Sequence, residues 1–256
     1  MHYLNDVPGI FTSVSLDIIK LLISAWESVI HWYNYVRPSR KLLGNILDNK
    51  NLLRIFVKDF IVKDNVFSAP KLISIEGPTT QAHPNIEKVW ADAEARGVAK
   101  LLNVLGDLGK RKKLEIVEMS KGYDYWDSNM IVLGAQAMKC MDFYELMENV
   151  AYSVDENHIY DKQSGQIIPR DEPEKYGYGI ILKAKNSQVD EGGIGILLGG
   201  YGVLGTQAAI YYFINNLAKL GKEFGSKSFG LVIRAKVSAG EQSATRLSRY
   251  DKVFES

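Results

Sequence analysis

Glycines spaced to admit an anion are the most specific chemical signal in this sequence. Gly200-Tyr201-Gly202-Val203-Leu204-Gly205 fits G-x-G-x-x-G, with Gly199 before it and Thr206 after it. An apolar run, Ile194–Leu198, precedes the turn, and residues 206–220 carry a helical pattern. In a strand–turn–helix unit such glycines allow a tight turn and let backbone N–H groups approach a phosphate. The helix N-terminus adds partial positive charge. Thr206 can cap the helix or offer its hydroxyl to the same phosphate. A nicotinamide-binding enzyme would place an acid about 20 residues further on, at the end of the next strand, for the ribose diol. That strand, "FGLVIRAKV", carries Arg234 and Lys236 instead, a basic pair suited to phosphate. A ligand-free tight corner is the competing reading of the same glycines.

Other positions could join that site. Gly134 ends the apolar run 129–133, and Gln136 and Lys139 follow in the first turn of the next helix. Two such junctions on one parallel sheet open on the same edge, where α/β ligands bind. Glu76 ends "KLISIEGP"; it could orient a ribose hydroxyl, act as an acid/base, or merely cap a turn. In "GYDYWDSN", Tyr123, Tyr125 and Trp126 could stack on a base, and Asp124 and Asp127 could hold hydroxyls or a cation. The same aromatics could simply pin the loop. Ser238-Ala239-Gly240, with Glu241, Arg246 and Arg249 beyond it, reads either as a third phosphate-facing loop or as an amphipathic C-terminal helix.

Several chemistries are disfavoured. His2, His31, His83 and His158 are scattered without ligand spacing, so no metal is expected. Cys140 is the only cysteine, which rules out an internal disulfide and reads as a small buried hydrophobe. There is no G-x-S-x-G elbow and no G-x-x-x-x-G-K-[ST] loop. "GKRKK" (109–113) reads as a solvated basic turn. A formal net charge of +1 argues against a nucleic-acid binder.

The stretch "LLGGYGVLGT" resembles the P-G-G-x-G-T-x-x-E turn of the LONELY GUY phosphoribohydrolases. It is also similar to the glycine motifs of the wider SLOG superfamily, Rossmann-like domains that bind nucleotide-derived signals in bacterial defence systems. The matching residues are Gly199, Gly200, Tyr201 and Gly202. Leu198 stands at the family's proline, Val203 at its threonine and Thr206 at its catalytic glutamate. The resemblance implies binding of a nucleotide or NAD-derived ligand, and the missing glutamate sets the family's hydrolysis aside.

These residues need a scaffold, and the pattern around them supplies one. Apolar strand patterns occur at 52–62, 71–78, 113–119, 129–135, 194–198 and 229–237. Helical ones occur at 85–109, with Gly97 as a break point, at 136–150 and at 206–220. The alternation predicts an α/β fold, a Rossmann-like three-layer domain with a mainly parallel sheet. Turn-rich residues 151–186 predict an antiparallel excursion. Residues 1–38 are expected to form an N-terminal helical segment and residues 39–256 the α/β domain.

"SLDIIKLLISAWESVIHWYNYV" (15–36) reads as an amphipathic helix capped by Ser15 and stopped at Arg37-Pro38-Ser39. Asp17, Lys20 and Glu27 argue against a bilayer span. Its wide apolar face needs a partner: the body of the same chain, a second copy in a homo-oligomer, or a membrane surface. No leader pattern is seen at the N-terminus, so the expected compartment is the cytoplasm.

The leading expectation is a module that binds and senses a small nucleotide-like ligand, in a homo-oligomer. Two alternatives stand beside it. One is a hydrolase or transferase acting on an N-glycosidic bond, with Glu76 or Asp127 as the acid/base or nucleophile. The other is an oligomerising interaction protein that uses the N-terminal helix.

Overall fold

The computed structural model describes residues 7–57, 59–63, 66–68, 86–90, 92–118, 126–135, 138–155, 158–189 and 192–254. The chain begins with α1 (Val7–His31), a π turn (Trp32–Val36), α2 (Arg37–Leu43) and a 3-10 turn (Gly44–Leu47). Next come β1 (Leu53–Val57), β2 (Asp59–Lys63), β3 (Val66–Ser68), β4 (Ile86–Trp90), α3 (Asp92–Asp107), β5 (Leu114–Glu118), β6 (Asn129–Leu133) and α4 (Met138–Leu146). Three short strands follow, β7 (Tyr152–Val154), β8 (Ile159–Asp161) and β9 (Ile167–Ile168). Then come β10 (Tyr176–Asn186), β11 (Gly193–Gly200), α5 (Gly202–Asn215), α6 (Leu217–Glu223), β12 (Ser228–Lys236), β13 (Thr245–Arg246) and β14 (Lys252–Phe254).

The main sheet has the order β13-β12-β10-β11-β6-β1-β5, with β14 also on β12. β5, β1, β6 and β11 are parallel, while β10 runs antiparallel to both of its neighbours. The fold is therefore mixed α/β with a parallel core. Both sheet faces are covered, so β1 and β6 are buried at every residue rather than at alternate ones. On one face Leu42, Ile46, Leu101, Ala209, Phe213 and Leu220 pack against Ile55, Ile131, Leu198 and Ile233. On the other, Phe143, Met147, Tyr152 and Ile159 meet Phe56, Val132, Leu197 and Val232. Neighbouring residues such as Ile55 and Phe56 serve opposite faces, as strand geometry requires.

Several expectations are corrected. The run 52–62 divides between two sheets: β1 joins the main sheet, and β2 pairs with β3 and β4. Residues 86–90, expected as helix, are that third strand, because pairing with β2 overrides a spacing compatible with either state. α3 runs unbroken through Gly97, whose missing side chain admits Ile210 of α5. The antiparallel excursion is smaller than 151–186. β7–β9 form a separate sheet, and β10 is inserted into the main one, since a six-residue link to β11 can only return antiparallel. The C-terminal tail is not a helix; two 3-10 turns and two edge strands follow β12. Lys110, in the basic turn, is buried, and its Nζ donates to Asp48 O and Asn51 O at 2.6 Å each. Arg111 and Lys112 are exposed.

The N-terminal helix departs furthest from expectation. It starts at Val7 rather than after Ser15 and does not stop at Pro38, which sits in the first turn of α2. Pro38, Leu42 and Leu43 are buried in the body, whereas every residue from Ile18 to Asn34 is exposed. From Ile18 to His31, α1 does not bury its side chains in the body of its own chain. Among the described residues no helix is long and apolar enough to cross a membrane.

Candidate functional site

Parallel strands end together, so the C-terminal ends of β1, β5, β6, β11 and β12 define one edge. The antiparallel β10 brings its N-terminal end to the same edge. The glycine turn sits there. β11 ends at Gly200, Tyr201 is the N-cap of α5, and Gly205 N–H donates the first helical bond to Tyr201 O at 3.2 Å. The N–H groups of Gly202, Val203 and Leu204 thus lack partners within the helix, and the N-cap side chain, Tyr201, does not cap them.

The glycines divide into two roles. Gly202 has φ +57° and faces open space. Gly205 and Gly200 permit close packing: a Cβ on Gly205 would lie 2.1 Å from Tyr178 O, and one on Gly200 would lie 2.4 Å from the same oxygen. The first turn of α5 rests on the side-chain-free face of β10, where Gly177 and Gly179 alternate. That period-two glycine pair in "YGYG" is the sequence signal for this close approach. Gly199 likewise admits the Gly134–Ala135 turn, which a Cβ would meet at 2.5 Å. The structure therefore joins Gly199, Gly200, Gly202, Gly205 and Gly134 on one edge. Thr206 is buried in the first turns of α5.

The basic pair is placed differently. Arg234 is in register with Tyr178 and stacks on Tyr176, its guanidinium carbon 4.4 Å from the ring centroid. It shares the sheet face with Val232, opposite to α5. Lys236 is exposed, and its N–H donates to Ser243 Oγ at 2.8 Å. Asp127 lies before β6, at the far edge, and accepts from Arg54 Nη1 at 2.6 Å. The parallel strands separate it from the glycine turn by roughly 15 Å. Glu76, Gln136, Tyr123, Asp124 and Tyr125 lie outside the described residues. Among the described residues no cluster of metal-ligating side chains occurs.

Two residues that the sequence reading passed over, Arg170 and Glu94, lie beside the turn. Arg170 follows β9 and lies over the Tyr201 ring at 4.0 Å, a cation–π contact. Its position is fixed next door: Tyr178 Oη donates to Asp171 O at 2.6 Å, and the Asp171 carboxylate pairs with Arg249 at 3.1 Å. No carboxylate among the described residues pairs with Arg170. Tyr201 Oη is buried without a hydrogen-bond partner among the described residues, and burial pushes its pKa up to about 12. Nearby, Tyr160 Oη donates to Asp155 Oδ2 at 2.7 Å, and His158 Nδ1 lies 3.3 Å from that hydroxyl. The second residue is Glu94, in the first turn of α3. It is 5% exposed, with Oε1 3.0 Å from where a Cβ on Gly134 would stand. Gly134, at φ +91°, is the residue type that admits both the backbone turn and this carboxylate.

The edge thus offers backbone donors unpaired within the helix, a guanidinium with no carboxylate partner among the described residues, aromatic faces and a buried carboxylate. Such a set can hold an anion and a neighbouring polar group. Compared with known proteins, the chain matches no family model, no curated protein and no solved structure.

Proposed function

We propose that this protein binds and senses a nucleotide or nucleotide-derived ligand at the C-terminal edge of a Rossmann-like sheet. The observation that carries the reading is Arg170, held on Tyr201 beside the uncapped N-terminus of α5. An arginine without a carboxylate partner among the described residues, next to N–H donors unpaired within their helix, supplies charge and geometry for phosphate oxygens. Gly202 leaves space for the anion, while Gly200 and Gly205 set the helix close to the sheet. The resemblance of "LLGGYGVLGT" to the SLOG and LONELY GUY turn supports the same ligand class and points to bacterial defence signalling. Arg234 stacks on Tyr176, on the same sheet face as Tyr201 and Arg170.

The test is a thermal-shift titration with mono-, di- and cyclic nucleotides, NAD and ADP-ribose, on wild type and Arg170→Ala. At least one compound should raise the wild-type melting temperature. The variant should need at least about tenfold more of it, the loss of one charge-assisted contact. If no compound stabilises folded wild type, the reading fails.

The buried Glu94 carboxylate favours a second reading, an enzyme that cleaves or transfers at the N-glycosidic bond. Release of free base on incubation, lost in Glu94→Gln while the thermal shift persists, would select it over sensing.

A further inference from the structure

We propose that α1 assembles copies of this chain into a helical bundle in which each α1 lies between two others. α1 is 25 residues long, or about 37 Å, and projects from the body. From Ile18 in α1 to Tyr33 in the π turn that continues it, ten large apolar side chains are each 43–72% exposed. Half-exposed side chains of this size leave roughly 60–100 Å² each in water. Together they exceed ~600 Å², more than the few hundred Å² that monomers usually leave in one patch. The area approaches the ~800 Å² per partner of a stable protein interface.

The spacing specifies the occupant. Within α1, Ile18, Leu22, Ala25 and Val29 follow a four–three repeat, as coiled-coil seams do. Ile19, Ile23, Trp26 and Ile30 follow a second one. At about 100° per residue the two seams lie side by side, about 100° apart. One partner helix covers one seam, so two seams call for two neighbours. Symmetric closure then gives a ring, with neighbours about 60° apart in a ring of three and about 90° apart in a ring of four. The observed offset fits four best.

The polar stripe opposes the lipid alternative. Helices that lie on membranes carry Lys and Arg on their polar face. This stripe has Lys20 as its one cation, set against Asp17 and Glu27.

The test is the mass of the full chain by native mass spectrometry and light scattering over a dilution series, without detergent. Assemblies of three or more 28.7 kDa chains are expected. Leu22→Glu and Ile30→Glu, one in each seam, should each shift the population to smaller species. Ser24→Glu, on the polar stripe, should not. Because α1 stands off the body, far-UV circular dichroism and the melting temperature of the body should change little, and they verify that the variants fold. A wild-type monomer or dimer at all concentrations would overturn the proposal. So would a wild-type chain that is monomeric in buffer and floats with phosphatidylcholine–phosphatidylserine vesicles, which would assign α1 to lipid.

Discussion

Alanine at Gly205 and alanine at Gly202 should have different consequences, although the two glycines stand three residues apart in one motif. A Cβ on Gly205 would lie 2.1 Å from Tyr178 O and 2.9 Å from Tyr178 C, both backbone atoms of β10. Neither can rotate away, so α5 must lift from the sheet. Overpacking of this kind costs about 1–3 kcal/mol. Tyr178 O also accepts the Tyr201 N–H at 2.8 Å, and loss of that bond adds about 1 kcal/mol. At ~2–4 °C per kcal/mol for a chain of this size, Gly205→Ala should melt roughly 5–15 °C below wild type. A Cβ on Gly202 meets nothing within 4 Å, and its cost is the left-handed backbone at φ +57°. That is about 1–2 kcal/mol, or roughly 2–8 °C. Ligand response should rank the other way. Gly202→Ala puts a methyl group where the anion would approach, so it should lose the thermal shift while remaining folded. Circular-dichroism melts with and without nucleotide measure both quantities. If Gly205→Ala melts no lower than Gly202→Ala, the close approach of α5 to β10 is refuted. If Gly202→Ala keeps the full ligand shift, the turn does not hold the ligand.

Two further predictions concern pH. Lys183 on β10 is buried, its Nζ donates to Gly225 O at 3.0 Å, and burial lowers its pKa to about 8. Between pH 8 and the unfolded value of about 10.5 the unfolded chain binds the proton and the folded chain does not. Stability should therefore rise with pH across that window by on the order of 3 kcal/mol relative to Lys183→Met. Denaturant titrations of both proteins at pH 7.5 and pH 10 test this, and parallel profiles would contradict it. Arg246 donates to both Glu223 oxygens at 2.7 Å and to Asp251 at 2.9 Å, joining α6 to the C-terminal strands. Its hydrogen bond holds the Glu223 carboxyl below the usual range. That stability is present above about pH 4.5 and is lost as pH falls through the folded-state value. Glu223→Gln should lose part of the acid-dependent change in melting temperature, and an unchanged acid profile would show that the pair contributes nothing.

Much of the parallel core was legible because its information is local. β5, β6, β11 and β12 are short apolar runs bounded by turn residues, and α5 follows its glycines directly. The glycine turn was found for the same reason: spacing alone marks a strand–turn–helix corner. What each glycine does was not legible. Gly200 and Gly205 are needed because β10, some 25 residues earlier, passes beneath them, and that insertion is a matter of topology. Arg170 and Glu94 escaped notice because nothing near them in the sequence marks a site. Arg170 reaches Tyr201 only once β7–β9 fold over the second face of the sheet, and Glu94 reaches Gly134 only once α3 packs beside α5. Asp127 looked equivalent to other acids in an aromatic loop, but strand direction carries it to the opposite edge, to Arg54. The apolar face of α1 was plain from periodicity, whereas its exposure depended on where α2 enters the body. Sequence determined which segments could be strands, corners and helices, because those follow from spacing along the chain. Only the tertiary structure decided which side chains share the edge of the sheet, because strand order and direction bring distant residues together.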